Sequence, residues 1–152
     1  MTEPVVHVSQ LIRRPPGEVF AAFANPLTLT RFWLKHATGP LAPGARVEWE
    51  FMVPGAKDTV HVVAFESPRH LGFRFGDGTR VDMTFEPSDG DTRVRVAVSG
   101  FNPIDLLAQA TDAVEGFSIV LCDLKTLLET GESAGLVRDK AELIASSASR
   151  HA

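Results

Sequence analysis

Histidine and cysteine are the side chains with the widest chemical reach here, and their spacing limits what they can do. His7, His36, His61, His70 and His151 are scattered and Cys122 stands alone, so no pair has metal-binding spacing and no metal site is expected. Gly76-Asp77-Gly78 lies between two strand-like runs instead of opening a helix, which makes it a turn and not a phosphate cradle. The Gly-x-Ser-x-Gly spacing of a nucleophile elbow is missing. Carboxylates fall mainly on predicted wet faces, so no catalytic residue and no cofactor is assigned. His61 is the one candidate: it shares parity with Val63 and Phe65 and is expected to point inward. There it is either a ligand-orienting or proton-shuttling imidazole, or a core residue satisfied by backbone or buried water.

Several β-prone runs and one helical run must position such groups. Val5 to Ile12 is the first strand, ended by Pro15-Pro16. Two short helices follow, one carrying Val19, Phe20 and Phe23, the next opened by Asn25 as cap and Pro26 at the first helical position and carrying Leu27, Phe32 and Trp33. His36 to Ala45, rich in Gly and Pro, reads as a loop. Val47, Trp49, Phe51 and Val53 then alternate with Arg46, Glu48 and Glu50, the pattern of a half-buried strand. Further strands are predicted at 59–66, 71–75, 79–86 and 92–99, joined by turns short enough for antiparallel hairpins. From Asn102-Pro103 to Glu129 no proline intervenes, which predicts one helix of about 26 residues stopped at Gly131. Its apolar stripe is Leu106, Ala110, Ala113, Val114, Phe117, Leu121, Leu124 and Leu128. Residues 1–131 therefore form one domain and 132–152 a tail, with a short helix around 136–144.

A sheet with one dry face needs a cover, and this helix is the only predicted element long enough to supply it. The stripe is small near its start and large toward its end. Opposite it stand Trp49, Phe51, Phe73 and Met83, bulky or adaptable groups that either line a cavity or fill the space as solid core. The expected ligand-binding set is Trp33, Trp49, Phe51, His61, Phe73, Met83, Ala110, Ala113, Val114 and Phe117, with Trp33 and His36 at the rim.

Pro15 followed by Glu18-Val19-Phe20, then Asn25-Pro26 and Phe32-Trp33, resembles the START-related superfamily, often labelled SRPBCC. The helix ending Gly116-Phe117, Leu121, Leu124-Lys125 and Leu127-Leu128-Glu129-Thr130-Gly131 is similar to the bacterial branch related to the activator of the ninety-kilodalton heat-shock chaperone ATPase. The resemblance covers residues 5 to 131. It implies an α+β helix-grip fold: a curved six-stranded antiparallel sheet wrapped around a long C-terminal helix, with two short helices after strand one. Where the family has a tryptophan after the helical glycine this chain has Phe117, which keeps the apolar bulk and drops an indole donor. The co-chaperone relatives imply a chaperone contact, but no basic surface motif can be matched to it.

Bulk composition narrows the partners. The length of 152 residues suits one core, and a formal charge of -4 offers no field for phosphate backbones or anionic lipid, so neither nucleic acid nor membrane is expected. No apolar run approaches the roughly 18 residues of a membrane span. Met1-Thr2-Glu3-Pro4 has no secretory pattern, and with a lone cysteine the expected location is cytoplasmic. The favoured function is binding of a small apolar or amphipathic ligand, ahead of a cyclase- or hydrolase-like enzyme using the same pocket or a co-chaperone-like interaction. The oligomeric state is open, a homodimer included.

Overall fold

The computed structural model describes residues 3–150; Met1, Thr2, His151 and Ala152, named above in reading the N-terminus, the tail and the histidines, lie outside the described residues. The chain runs β1 (Val6–Ile12), α1 (Pro16–Ala24), α2 (Pro26–Phe32), β2 (Leu34–Ala37), β3 (Arg46–Phe51), β4 (Lys57–Glu66), β5 (His70–Phe75), β6 (Arg80–Ser88) and β7 (Asp91–Ser99). A single 3-10 turn at Pro103–Asp105 leads into α3 (Leu106–Thr130), and α4 (Leu136–Arg150) follows. The strands form one antiparallel sheet in the order β1-β7-β6-β5-β4-β3-β2. Seven strands stand where six are predicted, the addition being β2 in a segment read as helix end and loop. It is four residues long and pairs with β3 across an irregularity between Leu34 and His36, so its extended form comes from that neighbour and not from a periodic pattern.

Local chemistry explains the element ends. Asn25 Oδ1 accepts from the Leu27 N–H at 2.9 Å while Pro26 occupies the first helical position of α2. Asn102 does the same for Ile104 at 3.0 Å, opening the 3-10 turn ahead of α3. Gly131 closes α3 in the left-handed region, φ 90°, with its N–H on the Leu127 carbonyl at 2.8 Å.

One sheet face is dry. Val81, Met83 and Phe85 on β6 and Val94, Val96 and Val98 on β7 are buried, while Arg93, Arg95 and Glu86 are exposed. The C-terminal half of α3 covers that face through Phe117, Val120, Leu121, Leu124 and Leu127. Polar contacts clamp its end to β1. Lys125 Nζ donates to the Leu11 carbonyl at 2.7 Å, and the Arg13 N–H donates to Glu129 Oε2 at 2.9 Å. The predicted apolar stripe thus holds from Phe117 onward, whereas Ala110 and Ala113 are half-buried and Val114 is exposed.

On the opposite face Asp82 accepts from Arg80 Nε at 2.9 Å and lies 2.9 Å from His70 Nε2. Gly72, its cross-strand partner, makes room: a Cβ there would meet Asp82 Oδ1 at 2.8 Å. Burial alone would raise the Asp82 carboxyl, but the hydrogen bonds and charges of Arg80 and His70 outweigh it and hold the group below its ordinary range. A lowered folded-state value contributes stability that is present above the ordinary carboxylate range and is lost as pH falls from that range through the lower folded-state value. Asp82→Asn should therefore cost about 1–2 kcal/mol in urea unfolding at pH 7. The difference from the parent should shrink toward pH 3; a difference independent of pH would contradict the account.

Candidate functional site

A cavity of about 370 Å³ opens between the β3–β4 hairpin, the middle of α3 and the start of α4. Phe51, Met52, Val53 and Ala56 of the hairpin and Phe75 of β5 form one side. From α3 come Ala113, Gly116, Phe117 and Val120, and from α4 Val137, Ala141 and Ile144, while Trp33 closes the inner end. The lining is apolar apart from Asp112 and Lys140 at the rim. Lys140 Nζ sits 2.9 Å from Glu115 Oε1, an ion pair that ties α4 to α3.

Space exists because α3 is thin where it leaves the sheet. Its first buried residue is Phe117, and a Cβ on Gly116 would meet nothing within 4 Å. Before this point the helix is steadied by polar contacts, with Gln109 Oε1 accepting from the Asn102 N–H at 3.0 Å and Gln109 Nε2 donating to the Asn102 carbonyl at 2.9 Å. The inner wall is aromatic. Trp33 meets Phe117 edge-on at 5.7 Å between ring centroids and Trp49 at 4.9 Å, and Trp49 meets Phe73 at 5.4 Å and Phe75 at 6.1 Å. The Trp49 indole N–H is buried without a partner among the described residues, an unmet donor one layer behind the wall.

Apart from His61, the predicted site residues divide into three groups. Trp33, Phe51, Ala113 and Phe117 come together at the cavity. Trp49, Phe73 and Met83 are inward but fully buried behind it, as solid core. Ala110 is one turn too early to reach it, and Val114, 39% exposed, faces outward.

His61 is corrected outright. Val60 and Val62 point inward at 0% and 2% exposure, so His61 between them faces the other side, opposite Arg46 and Arg74. The ladder shifts between Val62 and Ala64, which leaves Val63 bulged and returns Phe65 to the inner face against Phe20 at 5.2 Å. A bulge reverses strand parity, so the inward position of Phe65 says nothing about His61. Gln10 on β1 faces α3, with Nε2 donating to Cys122 Sγ at 3.6 Å.

Outside the expected set were Phe75, Met52, Val53 and Ala56 of the hairpin, Gly116 and Val120 of α3, and the whole α4 wall. Phe75 carries the parity of Phe73, a usable signal. The helical spacing of Val137, Ala141 and Ile144 was available as well, in a segment read as a tail. Among the described residues no group of three or more His, Cys, Asp or Glu side chains could hold a metal ion, and no helix is long and apolar enough to cross a membrane.

The model for the Activator of Hsp90 ATPase homolog 1-like protein family matches residues 13–129. The chain belongs to this family. Solved structures share its fold at low identity. A protein of Staphylococcus saprophyticus is 22% identical, covers 86% of this chain and 95% of its own, and superposes with a TM-score of 0.77. One from Mesorhizobium loti is 24% identical, with 83% and 97% covered and a TM-score of 0.74. The solution structure of the Aha1 dimer from Colwellia psychrerythraea is 18% identical, with 86% and 99% covered and a TM-score of 0.75. No curated protein matches the sequence.

Gly116 is the position at which the wall is cheapest to test for strain. A glycine inside a helix costs about 0.5–1 kcal/mol relative to alanine, and here the added methyl would enter open space. Gly116→Ala should raise stability by about that amount in urea or thermal unfolding; a loss would show that the wall is closely packed.

Proposed function

We propose that the protein binds a small apolar or amphipathic molecule in the cavity between the β3–β4 hairpin, α3 and α4. The observation that carries this reading is the volume of about 370 Å³ left beside Ala113 and Gly116 and bounded almost wholly by apolar side chains. That size falls within the range of about 300–1,000 Å³ typical of small-molecule sites, and polar groups only at the rim suit a ligand whose body is apolar. The acid–base role considered for His61 has no access to this space. Filling it is the direct test. Ala113→Phe should weaken binding of an apolar fluorescent probe about tenfold or more while leaving the circular dichroism spectrum unchanged. Unaltered affinity in a folded variant would place the probe elsewhere.

A second reading, self-association, is favoured by exposed apolar side chains at the start of α3. Ile104 is 87% and Leu107 82% exposed, and the similar Colwellia protein is described as a dimer. Sedimentation equilibrium should show a dimer at micromolar concentration that Leu107→Glu shifts toward monomer. A parent chain that stays monomeric throughout would exclude it.

A further inference from the structure

A second cavity, of about 240 Å³, lies on the other side of Met52, which lines both spaces. Its character is different: Arg31, Arg138, Thr30 and Ser133 contribute to its walls. The carboxylate of Asp123 is there too, accepting from Ser133 Oγ at 2.6 Å and from the Ala134 N–H at 2.8 Å, so its oxygens are turned to these donors while its charge offsets one of the two guanidinium groups. Arg31 uses one Nη2–H on the Gly131 carbonyl at 2.9 Å, and Arg138 meets only the exposed carboxylate of its neighbour Asp139 at 3.4 Å. Each guanidinium thus keeps further N–H donors in a fork suited to an oxyanion. The rim of the apolar cavity carries Asp112 and Lys140 instead. There Asp112 has no ion-pair partner among the described residues and the charge of Lys140 is already matched by Glu115.

We propose that the ligand of the apolar cavity is an anionic amphiphile, its apolar body beside Ala113 and Phe117 and its carboxylate or phosphate head passing Met52 to reach Arg31 and Arg138. The inference rests on the binding function proposed above. It adds a direction to that function: an anionic head is repelled by the Asp112 rim and attracted to the arginine end. Met52, unbranched and adaptable, is suited to stand at the junction.

Isothermal titration of the full chain with decanoate, decyl phosphate, decanol and decyltrimethylammonium tests the proposal, the first two distinguishing the head groups. At least one anion should bind about tenfold or more tightly than decanol, the factor expected when a charge-assisted hydrogen bond is added. Arg138→Gln should remove most of that advantage and leave decanol affinity unchanged; its side chain is 63% exposed, so the fold should survive. Arg31→Gln should act in the same direction, with a urea midpoint measured beside it because Arg31 also holds Gly131. Equal affinity for decanol and the anions, or tightest binding of the cation, would overturn the anionic assignment and leave the cavity function standing. A drop in Arg138→Gln that is equal for decanol and decanoate would do the same. Failure of all four probes to bind would remove the cavity function and this inference together.

Discussion

Half a helix anchored to a sheet is the constraint on which the rest of this molecule depends. From Phe117 to Leu127 the apolar side of α3 is buried on the dry sheet face, and Lys125 and Glu129 fasten its end to the β1 backbone. Burial of each large side chain contributes about 1.5–3 kcal/mol, so this end is fixed in position. The preceding turns have no such anchor. Ala113 and Gly116 carry too little bulk to fill the space toward the β3–β4 hairpin, and what the helix does not fill becomes the cavity.

A space of this kind would be poorly bounded if α3 were its only wall. Asp123, buried in α3, organises the next turn by accepting from Ser133 and Ala134, which directs the chain back as α4. Val137, Ala141 and Ile144 then close the remaining side, and the Lys140–Glu115 pair adds a partly exposed tether. The same return places Arg138 near Arg31, so the geometry that completes the apolar wall also sets two guanidinium groups beside it. Packing and electrostatic polarity at the site therefore have one origin, the position of α4.

Membership of the Activator of Hsp90 ATPase homolog 1-like family accounts for the fold and leaves chemistry to the particular side chains. In this chain Phe117 meets Trp33 edge-on, so the inner end of the cavity presents aromatic faces and no hydrogen-bond donor from that helix position. The indole of Trp49, its N–H without a partner among the described residues, lies one layer further in, behind Trp33 and Phe75. The charged groups stand outside this wall, Asp112 and Lys140 at the rim of the apolar cavity and Arg31 and Arg138 in the neighbouring one.

Much of the architecture was legible in the amino-acid sequence because it rests on neighbours in the chain. Alternation in β3, β6 and β7, the Asn25-Pro26 and Asn102-Pro103 starts, the Gly131 stop and the packed half of α3 follow from strand and helix periods and from capping chemistry. Trp33, Phe51, Ala113 and Phe117, expected at a pocket by the same logic, line the cavity. Tertiary structure alone decided three things. It made Leu34–Ala37 a strand, because four residues become extended only when β3 offers a partner. It turned His61 outward, because the β4 bulge is a property of the ladder with β5 and is not written in the alternation of β4 itself. And it moved the cavity from the first turns of α3 to its middle, because a space between elements is defined by long-range docking, here of α4 and the β3–β4 hairpin, and no local pattern encodes where two distant segments will meet.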